Sequence, residues 1–363
     1  MDAKRVLVLF GGGSAIRSGL LDAGYSNLED ADLDWVSLSG VVSNPGLELV
    51  HKGIELCRRE GVDAILAVGG GSVIDSAKAI GLGIRLETDV WELFTGEAKA
   101  AGMLPVGCIL TIAGSGREGS GALVLTKEEG RLKRTFQHPA ARCSFAIMNP
   151  ELTYTLPWYQ TASGCVDAMM HTLERYFTPE QTMETTDRIA EGVLRSLMDN
   201  LLRVRENPRN YDARAEIMWA SNVAHNGITG CGGGPGDWGA HMLEHELGAL
   251  FGVAHGAGLA AVWPSWARYV CQTNLERFSR LAVNVLGVSP SGENTETAAY
   301  RGTEAMEAFF RTVGMPTCIG KLDLELTEEQ IHVMATKCTA NGPVGTFRPL
   351  EWGDAAAIHH MAR

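Results

Sequence analysis

The sequence predicts an α/β domain with a parallel sheet, followed by a mostly helical domain. Through the first 150 residues, short continuous apolar runs alternate with amphipathic segments, and continuous apolarity is typical of parallel strands covered on both faces. After Pro150, long segments carry apolar residues at a 3.6-residue period. A chain of 363 residues is long enough for two domains. We therefore place the domains at residues 1–150 and 151–363.

The first domain contains six predicted strands. Residues 6–10 (VLVLF) and 64–68 (AILAV) each run into Gly-Gly-Gly-Ser and then into helical periodicity. Further strands are expected at residues 35–38, 106–111, 122–126 and 145–148, and a helix is expected to follow Pro45. Alternating strands and helices of this kind predict βαβ units with a ligand crevice at the carboxyl ends of the strands.

The second domain is predicted to be helical at residues 185–204, 213–226, 237–250 and 304–313. Turn-forming residues predict breaks at 207–208, 230–236 and 289–294. Residues 247–267 contain no Asp, Glu, Lys or Arg and are long enough to span a bilayer. Four glycines and Pro264 interrupt that stretch, so we interpret it as two buried helices joined near residues 253–256.

Composition excludes several classes of protein. The chain has 31 Lys and Arg against 43 Asp and Glu, a formal net charge of -12, and no basic cluster, so nucleic acid is not an expected partner. Eight scattered cysteines without a Cys-x-x-Cys pair indicate thiols in a reducing compartment. The first apolar run is too short for a signal peptide. We expect a cytoplasmic protein that is not in the membrane.

Glycine-rich turns follow two of the predicted strands, at residues 11–14 and 69–72. Such turns let backbone N–H groups approach a phosphate, and a helix capped by the serine of each turn would add further donors. A third polar glycine segment, residues 111–118, follows the strand at 106–111. Neither Gly-Gly-Gly-Ser unit matches G-x-G-x-x-G, so an ordinary tight turn remains the alternative at each.

Asp and His residues recur at helical spacing in the second domain. Asp167 and His171 lie four residues apart, as do His241 and His245, and each pair therefore occupies one helix face. His255 stands at or before the start of the next helix. These side chains supply the oxygen and nitrogen ligands that suit Fe(II) or Zn. Met242 stands where a zinc protease of the H-E-x-x-H type has its glutamate, which disfavours a protease.

The remaining histidines are each isolated in the sequence, so we expect them to be structural. They are His51, His138, His225, His332, His359 and His360.

With these motifs in place, the chain resembles the iron-containing (group III) alcohol dehydrogenases, most closely their butanol dehydrogenase and aldehyde reductase branch. The matching stretches are GGGSAIRSG, AVGGGSVIDSAKAI, TIAGSGREGSGA, TLPWYQTASGCVDAMMHTLE, NYDARAEIMWA, GDWGAHMLEHEL and VAHGAGLAAVWP. The resemblance implies the dehydroquinate synthase-like architecture, in which an α/β dinucleotide-binding domain precedes an all-α metal-binding domain.

The resemblance also implies the reaction: hydride transfer between NADP(H), or NAD(H), and a small primary alcohol or aldehyde such as butanol or butanal. It implies that Asp167, His171, His241 and His255 ligate one divalent metal, Fe(II) or Zn, which acts as a Lewis acid on the substrate oxygen. His245 would lie beside the metal without being a ligand, and our hypothesis is that it relays the proton of the alcohol. A homodimer is expected.

The first glycine turn is expected to face the adenosine ribose through Gly12, Gly13 and Ser14. These residues leave room for a 2'-phosphate and carry no carboxylate for a 2'-hydroxyl, so we favour NADP(H) over NAD(H). The other cofactor-binding residues that the resemblance implies are Gly69, Gly70, Gly71 and Ser72 at the pyrophosphate, Asp75 in the same motif, Thr111 and Ser115 at phosphate or nicotinamide, and Lys133 near the nicotinamide ribose. Lys78 matches the rest of that motif.

The chain departs from the family pattern in three places. It begins almost at its first predicted strand, where family members carry an additional segment, and this bears on sheet-edge protection and dimer contacts. Arg117 replaces a family serine and is expected to bring a cation near the cofactor. Asn149 replaces the aspartate of an Asp-Pro pair, which affects local geometry.

Three alternatives remain at this point. Zinc glycerol dehydrogenases and the dehydroquinate synthases, which are lyases, resemble the chain in glycine motif and metal position, but both typically lack a histidine at the position of His171. A non-catalytic metal or nucleotide binder is the third, and the intact ligand and cofactor motifs argue against it. Trp91, Phe94 and Trp238 are candidates for the substrate pocket.

Overall fold

The structure, a computed structural model, describes residues 3–179, 183–289 and 294–363. The chain divides into two units, one ending at Thr155 and one beginning at Leu156. The break predicted at residues 289–294 falls largely outside the described residues.

Five parallel strands form the central sheet of the first unit, in the order β2-β1-β3-β4-β7. The parallel sheet predicted from the apolar runs is confirmed. Its strands are β1 (Arg5–Phe10), β2 (Asp34–Leu38), β3 (Ala64–Gly69), β4 (Val106–Leu110) and β7 (Phe145–Ile147).

The register of this sheet places three loops at one edge. Phe10 of β1 pairs with Val68 of β3, and Gly69 of β3 pairs with Leu110 of β4. The two glycine turns and the segment from Thr111 therefore all leave from the carboxyl ends of adjacent strands. The strand order also changes direction at β1, and the carboxyl edge at such a switch point is where open α/β sheets bind ligands.

The strand predicted at residues 122–126 lies outside the parallel sheet. It is β5 (Ala122–Lys127), and it pairs antiparallel with β6 (Leu132–Gln137), which the sequence analysis missed. Gly130 and Arg131 adopt positive φ angles of 77° and 49° in the connecting turn. The sequence of β6, LKRTFQ, has only two apolar residues, so it gave no continuous apolar signal.

Helices surround the sheet in the first unit. The two that follow the glycine turns begin directly at Ser14 and Gly71, and their N-caps, Gly13 and Gly70, make no side-chain capping bond. The prediction that the serines cap these helices was therefore wrong, because each serine lies inside its helix. The helices are α1 (Ser14–Arg17), α2 (Leu20–Asp30), α3 (Leu47–Glu60), α4 (Gly71–Gly83) and α5 (Glu92–Thr95).

The first unit ends in a short 3₁₀ turn, Pro150–Thr153. Asn149 is the N-cap of this turn, and its side-chain oxygen accepts the backbone N–H of Glu151 at 3.0 Å. An asparagine performs the capping that the family aspartate would perform here, so this departure has a local effect only.

The described part of the second unit is helical. Its helices are α6 (Trp158–Tyr176), α7 (Glu184–Glu206), α8 (Tyr211–His225), α9 (Gly239–Phe251), α10 (His255–Val270), α11 (Leu275–Asn284), α12 (Thr295–Thr312), α13 (Glu328–Cys338) and α14 (Trp352–Ala362).

Helix α6 is anchored at its carboxyl end by a buried ion pair. Arg277 of α11 forms a bidentate pair with Asp187 of α7, and its Nε donates to the carbonyl oxygen of Tyr176, 2.7 Å away. Its guanidinium also lies over the Tyr176 ring, 4.0 Å from the centroid. Because α6 carries Asp167 and His171, this pair helps to fix the position of both side chains.

The charge-free stretch at residues 247–267 forms two helices, as predicted. Helix α9 ends at Phe251, α10 begins at His255, and residues 252–254 join them. Within the residues that the structure describes, no helix combines the length and apolarity needed to cross a bilayer.

Candidate active site

The glycine turn after β3 and the segment after β4 are packed directly against each other. The backbone N–H of Thr111 donates to the carbonyl oxygen of Gly69 at 3.1 Å. A Cβ atom on Gly71 would lie 2.3 Å from the hydroxyl oxygen and 3.0 Å from Cβ of Ser115, so a larger residue at this position would force Ser115 to shift. The two loops meet closely here, and their meeting brings Ser72, Thr111 and Ser115 to one edge of the sheet.

The turn after β1 is open on one side and faces a cation on the other. A Cβ on Gly12 would meet nothing within 4 Å, whereas one on Gly13 would lie 2.6 Å from Nη1 of Arg17. Arg17, at the end of α1, therefore folds back over the turn. The sequence analysis did not single out this residue, although it stands within the GGGSAIRSG motif.

Asp75 and Lys78 are buried anchors of the first unit. The Lys78 ammonium, fully buried, donates to the carbonyl oxygens of Arg117 (2.6 Å), Ser120 (2.8 Å) and Ala122 (3.1 Å). Asp75 Oδ2 accepts the backbone N–H of Val124 at 3.0 Å and lies 3.4 Å from Nε of Arg117. These contacts tie the segment after β4 to helix α4.

Two predictions are sharpened by this network. The Arg117 guanidinium, which we expected near the cofactor, is buried and points at Asp75. Lys133, on β6, is buried as well, and its charge acts on Asp75. A direct contact of Asp75 or Lys133 with a cofactor stays a prediction.

In the second unit, donor atoms of Asp167, His241 and His255 all lie within 4.8 Å of one another. Asp167 comes from α6, His241 from the first turn of α9, and His255 is the first residue of α10. His255 approaches because Gly256 lets α10 begin against α6: a Cβ there would lie 1.9 Å from the carbonyl oxygen of Ser163. The structure thus brings together three of the four predicted ligands.

His171 and His245 flank this set. Nδ1 of His171 lies 3.4 Å from Asp167 Oδ1, and its ring centroid is 4.9 Å from that of His241. His171 therefore lies next to Asp167 and His241, but its ring nitrogens do not belong to the group of donor atoms that lie within 4.8 Å of one another. The His245 ring is buried on the other side, 5.6 Å from the His255 ring between centroids.

Two buried carboxylates that the sequence analysis missed contact two of the histidines that were predicted as ligands. Glu174 Oε1 lies 2.7 Å from Nδ1 of His241, and Glu244 Oε2 makes a short contact with Nδ1 of His255. Burial raises the pKa of the Glu174 carboxyl to about 7, although the backbone N–H groups of His241 and Trp238 oppose the rise. The available signal was spacing, since Glu174 follows Asp167 by seven residues and thus shares its helix face.

His225 and Trp238 also border the site. The His225 ring, predicted to be merely structural, lies 4.0 Å from the His171 ring between centroids. The Trp238 ring meets the rings of His171 and His241 edge-on, with 6.0 and 5.1 Å between ring centroids. The backbone φ angle of Trp238 is 64°, which is rare for a residue with a side chain of this size. Trp91 and Phe94, the other two candidate pocket residues, are stacked and buried within the first unit.

The donor set suits a divalent transition metal. A carboxylate that accepts from Nδ1 fixes the proton there, so Nε2 carries the lone pair that a metal requires. Nε2 of His255 does face Asp167, at 3.7 Å from Oδ1. One carboxylate oxygen with two or three imidazole nitrogens is a ligand set for Fe(II) or Zn.

Comparison with known proteins identifies a family over nearly the whole chain. The family model "Iron-containing alcohol dehydrogenase" matches residues 1–150, and "Fe-containing alcohol dehydrogenase family, C-terminal" matches residues 161–362. The chain belongs to the iron-containing alcohol dehydrogenase family. It is thus an oxidoreductase of alcohols or aldehydes, as the family resemblance predicted.

The relatives place the chain in the butanol dehydrogenase branch of this family. The probable NADH-dependent butanol dehydrogenase 1 of Bacillus subtilis is 35% identical over 98% of this chain and 91% of its own length. The NADPH-dependent aldehyde reductase YqhD of Escherichia coli is 34% identical over 88% and 82%. The crystal structure of NADH-dependent butanol dehydrogenase A from Thermotoga maritima superposes with a TM-score of 0.95 at 36% identity, covering 99% of this chain and 91% of that one.

Membership in this family supports a divalent metal and a nicotinamide nucleotide. The relatives are named for NADH in some cases and for NADPH in another, so their names do not decide between the two nucleotides.

Proposed function

We propose that the protein transfers hydride between NADP(H), with NAD(H) as the weaker alternative, and a small primary alcohol or aldehyde such as butanol or butanal. The observation that carries this proposal is the donor set of Asp167, His241 and His255, of which the first two residues are buried. A set of this composition binds a divalent metal, and the relatives include butanol dehydrogenases and an aldehyde reductase.

Asp167, His171, His241 and His255 would hold the metal, Fe(II) or Zn. When bound, such a metal supplies a Lewis acid that polarises the oxygen of the alcohol or aldehyde. The His255 side chain is 22% exposed, whereas those of Asp167 and His241 are 9% and 4% exposed. Solvent therefore reaches the set at His255, and we expect the substrate to enter on that side.

His245 would handle the proton of the reaction. In the oxidation direction the His245 imidazole would take the hydroxyl proton of the alcohol, and the nicotinamide nucleotide, when bound, would supply the acceptor for the hydride, so that the aldehyde is left. In the reduction direction both transfers reverse. His245 lies one helical turn beyond His241, with 6.4 Å between ring centroids. If the His245→Ala variant kept the pH-rate profile of the unmodified enzyme, His245 would have no such role.

The nucleotide would be held at the carboxyl edge of the sheet in the first unit. Gly69 ends β3, Gly70 is the N-cap and Gly71 the first residue of the 13-residue helix α4, whose N-terminus favours the pyrophosphate. Hydroxyls at the same edge, those of Ser72, Thr111 and Ser115, are available to phosphate or nicotinamide. At the first turn, Arg17 and the space at Gly12 suit a 2'-phosphate, which is why we favour NADP(H).

The decisive experiment measures metal content and aldehyde turnover on one preparation. The protein is purified without oxygen, its metals are determined by elemental analysis, and NADPH or NADH consumption is followed with a series of short-chain aldehydes. We expect about one divalent metal ion per chain and the highest kcat/KM with NADPH and butanal. If the metal-loaded enzyme consumed neither nucleotide with any of the aldehydes, the proposal would be wrong.

We further infer a cytoplasmic homodimer. All eight cysteines are free thiols, five of them buried, which is typical of a reducing compartment. The dimer is tested by light scattering on the eluting protein, where we expect twice the mass of the chain.

A further inference from the structure

Glu174 performs two tasks for His241 across a separation of 67 residues. Its Oε1 atom accepts the backbone N–H of His241 at 2.9 Å and also lies 2.7 Å from Nδ1 of the same residue. Helix α9 has Trp238 as its N-cap residue, with no capping bond from its side chain. Glu174 of α6 therefore caps α9 from another helix and, through the same oxygen, holds the ring of His241.

Glu244 holds His255 in an equivalent way. It lies on α9, three residues after His241, and its side chain is completely buried. Its Oε2 atom makes a short contact with Nδ1 of His255, the first residue of α10. Each carboxylate thus contacts Nδ1 of its histidine and bridges two helices. At His255 the opposite ring nitrogen, Nε2, faces Asp167.

The orientation of the His241 and His255 rings decides whether Asp167, His241 and His255, here called the metal set, can bind one ion. An imidazole without a partner at Nδ1 rotates about its side-chain bonds and can carry its proton on either nitrogen. A carboxylate that accepts a hydrogen bond from Nδ1 stops the ring rotation and keeps the proton on Nδ1. It also makes Nε2 more basic. The two glutamates therefore act on the metal through the histidines.

We propose that Glu174 and Glu244 are positioning residues that fix the ring orientation and tautomer of His241 and His255, and thereby set the affinity of the centre for its metal. This inference rests on the proposed function, because it takes Asp167, His241 and His255 as ligands. It adds two residues that touch neither the metal nor the substrate.

The test measures zinc affinity, and does so before any activity is assayed. Apo protein is titrated with Zn(II) in competition with a chromophoric chelator, for the unmodified chain and for Glu174→Gln and Glu244→Gln. We expect each variant to bind zinc 10- to 100-fold more weakly. Glu174→Leu and Glu244→Leu, which lack any acceptor, should lose more affinity than the glutamine variants. Substitution of Co(II) should also give altered visible absorption bands in the variants, because the ligand geometry changes.

Glu191→Gln is the matched control. Glu191 is also a buried carboxylate of the second unit, but it bonds to Arg280 at 2.6 Å and to the Tyr176 hydroxyl at 3.1 Å. The control should lose stability and keep the zinc affinity and the Co(II) spectrum of the unmodified chain. A loss of affinity equal to that of Glu174→Gln would overturn the positioning role, since general loosening would then explain both.

A measurement on the unmodified chain covers the case in which the variants do not fold. Nitrogen chemical shifts of labelled histidine report which ring nitrogen is protonated, and we expect Nδ1–H at His241 and His255. Nε2–H at either residue would overturn the proposal for that residue.

The outcomes separate this inference from the proposed function. If the unmodified chain binds zinc and turns over aldehyde while the glutamine variants bind zinc equally well, only the positioning role is wrong. If the unmodified chain binds no zinc, the proposed function fails as well. The donor atoms of Glu244, His245 and His255 also lie within 4.8 Å of one another. If the unmodified chain bound two zinc ions and Glu244→Gln bound only one, these three residues would instead be identified as ligands of a second ion.

Discussion

Each unit of the molecule contains a buried polar network, and the two networks balance their charges differently. In the first unit the Lys78 ammonium is surrounded by three carbonyl oxygens, and the Arg117 guanidinium faces Asp75. In the second unit, buried carboxylates contact imidazoles, Glu174 at His241 and Glu244 at His255. Lysine and arginine side chains contact the acceptors of the first network directly, whereas imidazoles contact Glu174 and Glu244 in the second.

This difference separates scaffold from site. A buried acid beside an arginine or lysine is compensated within the protein, so the pair holds segments together. Buried acids behind histidines whose other nitrogens converge are arranged for a cation from outside the chain. Burial of a charged side chain is therefore by itself a poor guide to function. The charge of the group that contacts the buried side chain is a better guide.

Loss of a histidine that we propose as a metal ligand should have the largest effect. In His241→Ala the metal set loses one of its three converging donors, and we expect metal content to fall from about one ion per chain to near zero. The rate constant kcat/KM should fall by roughly 1,000-fold or more, because Lewis-acid assistance contributes several kcal/mol. Elemental analysis and aldehyde kinetics measure the two effects.

His332→Ala is the control for that experiment. His332 lies on the surface against Trp352, so its loss should leave metal content unchanged. Full metal occupancy in His241→Ala would mean that the second network is a scaffold like the first.

Loss of Lys78 should destabilise the protein without affecting metal binding. In Lys78→Met three buried carbonyl oxygens lose their donor and Asp75 loses a cation, so we expect the free energy of unfolding to fall by about 3 kcal/mol. Lys52→Met, at an exposed position, should change it by less than about 0.5 kcal/mol. Denaturant unfolding measures both variants. A zinc affinity reduced in Lys78→Met would break the comparison, because the first network would then contribute to the second.

A buried histidine in the second unit should make stability fall in acid. Burial lowers the pKa of His359 from 6.5 to about 4, and its Nε2 donates to the carbonyl oxygen of Leu243, 3.4 Å away in α9. Between these pH values the unfolded chain binds a proton that the folded chain does not bind, so the free energy of unfolding rises with pH. We expect His359 to account for roughly 3 kcal/mol of the loss between pH 7 and pH 4.

His359→Gln isolates this contribution. The variant should lose stability less steeply than the unmodified chain as the pH falls from 7 to 4, whereas His332→Gln, at an exposed position of α13, should follow the unmodified chain. Parallel curves for His359→Gln and the unmodified chain would show that His359 does not titrate with unfolding.

Local sequence patterns were sufficient to predict much of this molecule. Continuous apolar runs identified the parallel strands, because a strand that is covered on both faces has no polar side. Four-residue spacing identified the pair Asp167 and His171, because α-helical geometry alone puts them on one face. The joint before His255 was predictable from the glycines on either side of it.

Contacts between distant segments were not predictable in this way. Glu174 and His241 lie 67 residues apart, and only the packing of α6 against α9 brings them together. Asp75 belongs to a motif that suggested cofactor contact, yet its oxygen accepts from Val124, 49 residues away. Four of the six residues of strand β6 are polar, so the strand is recognised only by its pairing with β5. His225 looked isolated because α8 meets α6 only in the folded chain.

The smallest expected effect concerns Arg17, whose guanidinium lies against the first glycine turn. If it serves a 2'-phosphate, its charge is balanced by a ligand, as in the second unit. In Arg17→Gln we therefore expect the ratio of kcat/KM for NADPH to that for NADH to fall about tenfold, or about 1.4 kcal/mol, since a hydrogen bond to a charged group contributes that much.

Arg85→Gln, exposed and outside the turn, should keep the ratio. Gly13→Asp should lower it further, because Gly13 has an ordinary φ of -69° and a carboxylate there would repel a phosphate and displace Arg17. An unchanged ratio in Arg17→Gln would assign Arg17 to the scaffold, together with Lys78.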